Sequence, residues 1–157
     1  MNLYIKQRVF ALADTFSVCD EAQRVLYTVR GEFLSFGKKL HIYDSAGQEC
    51  GFVSQKVFSF LPRYQIFLGG MLAAEMRKEF TLFRQEYTVD GPGFVVDGDF
   101  LAHDYTVSRG SETVARVSKV WLTWGDTYEL AVSDTVNPVL ALAIMLVIDA
   151  CNEPGNT

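Results

Sequence analysis

The side chains best suited to act as nucleophile, proton shuttle or transition-metal ligand in this chain are two histidines, His41 and His103, and three cysteines, Cys19, Cys50 and Cys151. A nucleophilic thiol needs a base within hydrogen-bond reach, and a zinc-type site needs several donors at set spacings. Neither arrangement can be read here. The histidines stand far apart, His41 alternating with Leu40 and Ile42 in a strand-like run and so expected to face outward, His103 in the turn-like "LAHD". There is no CxxC, HExxH, GxSxG or phosphate-cradling glycine loop. The Asp and Glu residues are scattered. "DSAGQE" and "DGD" lack the alternating ligands and closing glutamate of a calcium loop, and "DGPGFVVDGD" reads as turn chemistry. The chain is therefore expected to be no enzyme and to need no cofactor or metal. Its odd number of thiols is expected to stay reduced.

The most ordered chemical pattern is basic. Arg8, Lys56, Lys78 and Lys119 each stand two residues before a bulky aromatic, namely Phe10, Phe58, Phe80 and Trp121. Gly31 and Gly98 hold the matching place before Phe33 and Phe100. Residues two apart on a strand share a face, so each cation is expected on the face of its aromatic, unless a β-bulge shifts the parity. In a regular meander all of them fall at one end of the sheet. Two or three cations converging there would make a site for an anionic lipid head group, or for the acidic segment of a protein partner. The structural alternative is that their stems lie along apolar wall while the charged ends reach the rim or pair with carboxylates such as Asp149. Lys38, Lys39, Arg63 and Arg84 in adjoining turns extend the set.

These aromatics belong to a repeat. Each is followed five to seven residues later by Phe16, Leu40, Tyr64, Tyr87, Tyr105 or Tyr128, and two residues beyond by Val18, Ile42, Ile66, Val89, Val107 or Leu130. Each copy reads as strand, short turn, and a second strand with alternating apolar residues. Connections such as "CDEAQR", "DSAGQE", "DGPG" and "RGSE" suit hairpins. Six copies, recurring every 20 to 25 residues, make twelve antiparallel strands over about residues 3–132. A sheet of that length curls or splits, and closing it removes its sticky edges. A barrel that wide is too large for its own side chains to fill.

The filler is expected at about residues 138–151. Asn137 suits a helix N-cap and Pro138 the first helical position. "PVLALAIMLVIDA" is apolar on every side until Asp149. A helix apolar all round is buried in a core or in a membrane, and this run is short of the roughly 20 residues needed to span a bilayer. No Lys or Arg flanks it. A central helix inside the barrel is the expectation, with Asp149 either emerging near the rim or paired with a strand cation.

Length and composition agree. The 157 residues, 49% hydrophobic and 21% charged, fit one domain, residues 1–157, with a sizeable core. A net charge of −5 argues against a general nucleic-acid binder. The opening "MNLYIKQRVF" has no apolar secretory segment, and a cytoplasmic protein is expected.

Six stretches, "LYIKQRVF", "FSVCDEAQRVLYTVRG", "LHIYDSAGQE", "SQKVFSFLPRYQI", "VSKVWLTWGDTYEL" and "ALAIMLVIDA", resemble in order the LURP-one-related family of Tubby C-terminal-like proteins, in particular its compact bacterial members. The resemblance implies a mainly β fold, a closed twelve-stranded antiparallel barrel around a hydrophobic C-terminal helix. It also implies kinship with phosphoinositide-binding tubby domains and, by fold, with phospholipid scramblases. No recognisable tubby lipid-binding motif occurs here, so no residue role is carried over, and fold alone does not fix function. The expected role is a non-catalytic binding module for an anionic phospholipid head group. A structural or regulatory protein-interaction domain is the alternative, and scramblase-like membrane activity is the less favoured third.

Overall fold

The computed structural model of the chain describes residues 1–6, 15–32, 36–80, 85–122 and 125–152. Twelve strands precede one helix: β1 (Asn2–Lys6), β2 (Thr15–Cys19), β3 (Val25–Gly31), β4 (Lys39–Asp44), β5 (Glu49–Gln55), β6 (Arg63–Leu68), β7 (Met71–Phe80), β8 (Gln85–Asp90), β9 (Phe94–Asp99), β10 (Asp104–Arg109), β11 (Glu112–Leu122), β12 (Gly125–Val132) and α1 (Pro138–Asn152). Each strand pairs antiparallel with the next, and β12 returns beside β1 to close the barrel. The Met1 ammonium donates to the Val132 carbonyl across that seam, at 3.0 Å. Closure satisfies every edge, which is what so long a sheet requires.

Because each strand follows its neighbour up and down, every second connection falls at the same rim. After β12 the chain turns inward at one rim, the entry rim, where β2–β3, β4–β5, β6–β7, β8–β9 and β10–β11 also turn. The helix crosses the lumen to the opposite, exit rim. Asn137 caps it as expected, its side-chain oxygen accepting from the Val139 N–H at 2.8 Å. Residues 139–151 are all buried. At about 1.5 Å per residue the helix is long enough to cross the barrel wall to wall.

The repeat is the packing rule of this core. Phe16, Leu40, Tyr64, Tyr87, Tyr105 and Tyr128 all face inward and form a ring toward the exit rim. Val18, Ile42, Ile66, Val89, Val107 and Leu130 form a second ring beneath it. The helix packs against β5, β6, β7 and β12. Small residues on that wall make room: a Cβ at Gly51 would stand 2.8 Å from Val139 Cγ1 and 3.1 Å from Ile42 Cδ1.

The strand register shows one module that departs from the repeat. Opposite the ring residues Leu40, Tyr87, Tyr105 and Tyr128 stand Gly31, Lys78, Gly98 and Lys119, the positions two before each module aromatic. Opposite Tyr64 stands Gln55, not Lys56. The third module is therefore out of step by one residue, and Lys56 lies past the strand end on the outer wall. Its first aromatic has left the core with it: Phe58 is exposed, whereas Phe100 is buried. Phe10 and Phe33 lie outside the described residues, and Phe80 and Trp121 are placed by their backbones alone.

Candidate anion site at the exit rim

The last turn of α1 brings the negative end of the helix dipole, and the carbonyls it leaves unbonded, to the exit rim. Among its own last residues there is no cation. Strand and loop residues supply the partners. Lys38 Nζ donates to the Ala150 carbonyl at 2.7 Å, and Asn152 Nδ2 donates to the Phe100 carbonyl at 3.0 Å. Asp149, almost wholly buried, has His103 Nε2 at 3.3 Å from its Oδ1. Among the described residues, the turn residue His103 is the cationic-type side chain seen within ion-pair distance of Asp149. His103 is held there by a left-handed backbone (φ 54°) and by lying flat on Tyr128, with ring centroids 4.3 Å apart and planes 17° apart.

This end of the core is polar, and burial raises the pKa of its thiol and of a tyrosine hydroxyl. Burial pushes the Cys151 thiol up, only partly opposed by the Tyr87 hydroxyl and by the charges of Lys78 and Lys38. Burial first, then the Asp149 charge, holds the Tyr105 hydroxyl far above its ordinary value. A thiolate nucleophile is disfavoured in such surroundings. Cys19 and Cys50 are half-buried free thiols, also raised mainly by burial. Among the described residues no group of three His, Cys, Asp or Glu could hold a metal.

The basic positions separate into two sets. Arg8 and Arg84 lie outside the described residues. Lys78 and Lys119 share the inward parity of Met76 and Val117 and stand beside Tyr87 and Tyr128 at the mouth of the barrel. Lys56 is on the outer wall, its Nζ 3.5 Å from Glu75, which also takes Arg63 at 3.2 Å. All three described cations are therefore at one rim, yet they do not face one way.

Three cations line a cleft of about 570 Å³ between the β5–β6 connection and β7. Phe58, Ser59, Phe60, Leu61 and Pro62 form one side; Arg63, Arg77, Lys78 and Glu79 form the other. Arg63 and Arg77 are direct cross-strand partners. Like charges so placed repel, and the pair persists because carboxylates surround it. Arg77 reaches Asp90 at 3.1 Å and Glu79 at 3.8 Å, and Arg63 reaches Glu75. These ion pairs are substantially exposed, and such pairs contribute only about 0.2–1 kcal/mol each. The Arg77 Nε–H is buried with no hydrogen-bond partner among the described residues, an unused donor at the cleft. Arg77 was not legible as a site residue, since only the strand register sets it opposite Arg63.

A second, outer-wall groove of about 380 Å³ lies nearer the entry rim, between His41, Glu49, Phe52, Phe67 and the turn glycines Gly69 and Gly70. His41 faces outward as expected, and its ring bridges Glu32 at 2.7 Å and Glu49. Partial burial works against its charged form, but the two carboxylates outweigh that, and its pKa is raised.

A closed twelve-stranded barrel threaded by its own C-terminal helix defines the class. Residues 1–149 match the LURP-one-related family model, and the chain belongs to that family. It is 32% identical over 149 residues to the uncharacterised protein YxjI of Bacillus subtilis (strain 168), covering 95% of this chain and 92% of that one. It is similar in fold to an X-ray structure of a protein from Arabidopsis thaliana, with a TM-score of 0.70 at 17% identity, covering 97% of this chain and 91% of that one.

Proposed function

We propose that this protein is a non-catalytic binding module whose exit rim takes an anionic phospholipid head group, and that the head group sits in the cleft of Arg63, Arg77 and Lys78. The observation that carries this reading is the cross-strand Arg63–Arg77 pair with Lys78 beside it. Three cations line a cleft wide enough for a phosphate and its substituents, with Glu79 the carboxylate in the same lining and Glu75 and Asp90 pairing with the arginines beside it. Guanidinium groups bind phosphate oxygens bidentately, and the exposed ion pairs they would give up are worth little. Lys56 and Lys119 at the same rim add long-range attraction.

The scramblase-like alternative needs a helix in lipid. Here α1 is enclosed by its own strands, and among the described residues no helix is long and apolar enough to cross a membrane. An acidic protein segment would use the same cations. The test is titration with the water-soluble head group glycerophosphoserine, followed by amide NMR. The expected result is saturable, salt-sensitive shifts at Arg63, Arg77 and Lys78 that vanish in the Arg63→Glu/Lys78→Glu variant. Shifts absent in the wild type, or unchanged in that variant, would contradict the assignment. Competition by a poly-glutamate peptide alone, with no response to the head group, would favour the protein partner.

A further inference from the structure

We infer that the β5–β6 connection is a membrane-inserting wedge, so that the partner of the exit rim is an anionic bilayer surface and not a soluble anion. This rests on the head-group reading above and adds to it how the partner is engaged.

Phe58 is 95% exposed, and Phe60 is as open to water as an isolated residue. Phe36, on the neighbouring β3–β4 connection, is also largely exposed, and its ring centroid lies 5.9 Å from that of Phe58. Val57 beside them is exposed too. One aromatic in water needs no explanation, but three together with a valine on one rim are a patch of the kind that marks an interaction site. The one-residue shift in the third module accompanies the exposure of Phe58. Phe100, the matching aromatic two modules on, packs against Tyr87 and Tyr105 inside the barrel. Phe58 has no such burial and contributes nothing comparable to the core.

The charge pattern selects the occupant. Lys56 precedes the exposed rings and Arg63 follows them, and Phe58 and Phe60 form the lip of the cleft that Arg63, Arg77 and Lys78 line. A soluble phosphate compound would fill the cleft and leave the rings in water. An anionic bilayer presents a phosphate layer with an acyl boundary directly beneath it. A rim that offers cations at the base and aromatic side chains at the tip complements both layers at once. Aromatic rings are well suited to that boundary.

The test is co-sedimentation with vesicles of phosphatidylcholine containing phosphatidylserine, run beside the head-group titration, on wild type and on Phe36→Ser/Val57→Ser, two members of the exposed patch that do not line the cleft. Both side chains are exposed, so the variant should keep the wild-type melting temperature. The expected result is at least a tenfold loss of vesicle binding, with the head-group shifts retained. Undiminished vesicle binding by the variant overturns the wedge and leaves the head-group site standing. So does a wild type that responds to the soluble head group but does not pellet with vesicles, which would assign the exposed rings to a protein surface. No response to head group or vesicle removes both readings together.

Discussion

His103 lies flat on Tyr128 and directs its Nε2 to the Asp149 carboxylate, 3.3 Å away. Through this pair the last turn of the helix is tied to the barrel wall. Removing one partner of a buried polar contact leaves the other less well satisfied, at a cost of about 1–3 kcal/mol. His103→Asn is the informative variant, because asparagine tolerates the left-handed backbone that alanine would not. It is expected to lower the urea-unfolding free energy by about 1–3 kcal/mol, and Asp149→Asn by less. The double variant should cost no more than Asp149→Asn alone. Additive losses in the cycle would show that the two side chains do not act as a pair.

Gly51 reports the fit of helix to wall. A methyl there meets Val139 Cγ1 and Ile42 Cδ1, and a β-branched valine on a helix has little freedom to turn aside. Gly51→Ala is expected to destabilise the barrel by about 1–3 kcal/mol, the usual range for overpacking. Val139→Ala in the same chain should recover much of that loss in thermal denaturation. A Gly51→Ala protein as stable as wild type would mean that the helix does not sit against β5 at this level.

His41 makes stability depend on pH. Its carboxylate neighbours Glu49 and Glu32 raise its pKa against the opposing effect of burial. The folded protein therefore holds the imidazole proton more tightly than the unfolded chain. That contribution is present in full below the ordinary histidine value of about 6.5 and is lost as pH rises through the raised folded value. Wild type should lose stability relative to His41→Gln between about pH 6 and pH 8, by no more than about 1 kcal/mol for so exposed a pair. Denaturant midpoints of the two proteins at both pH values give the comparison, and a difference independent of pH would refute the linkage.

Much of the fold was legible because the modules obey one rule. An inward aromatic or leucine followed at +2 by an aliphatic residue appears in every copy, and all twelve of those side chains are buried. The apolar run ending at Asp149 announced a helix too short for a bilayer and too apolar for a surface. The site was harder to read, since it depends on register. The repeat gives Lys56 the same place in its module as Lys78, but a shift of one residue opposite Tyr64 sets Lys56 on the outer wall. Phe58 is exposed in that same module, whereas Phe100 at the matching place in its own is buried. Arg77 matters only through its pairing with Arg63, a relationship between strands that no local pattern carries. The tie between His103 and Asp149 likewise joins a turn to a helix far along the chain.

The most direct test of the functional account is pelleting of the protein with neutral and with phosphatidylserine-containing vesicles at low and physiological salt. Screening shortens the reach of exposed charges to about 8 Å at physiological ionic strength. Binding to the anionic vesicles alone, weakened by salt and lost on Arg63→Glu/Lys78→Glu, is the predicted result. Equal binding to neutral vesicles, or anionic binding that ignores both salt and the charge reversal, would contradict it.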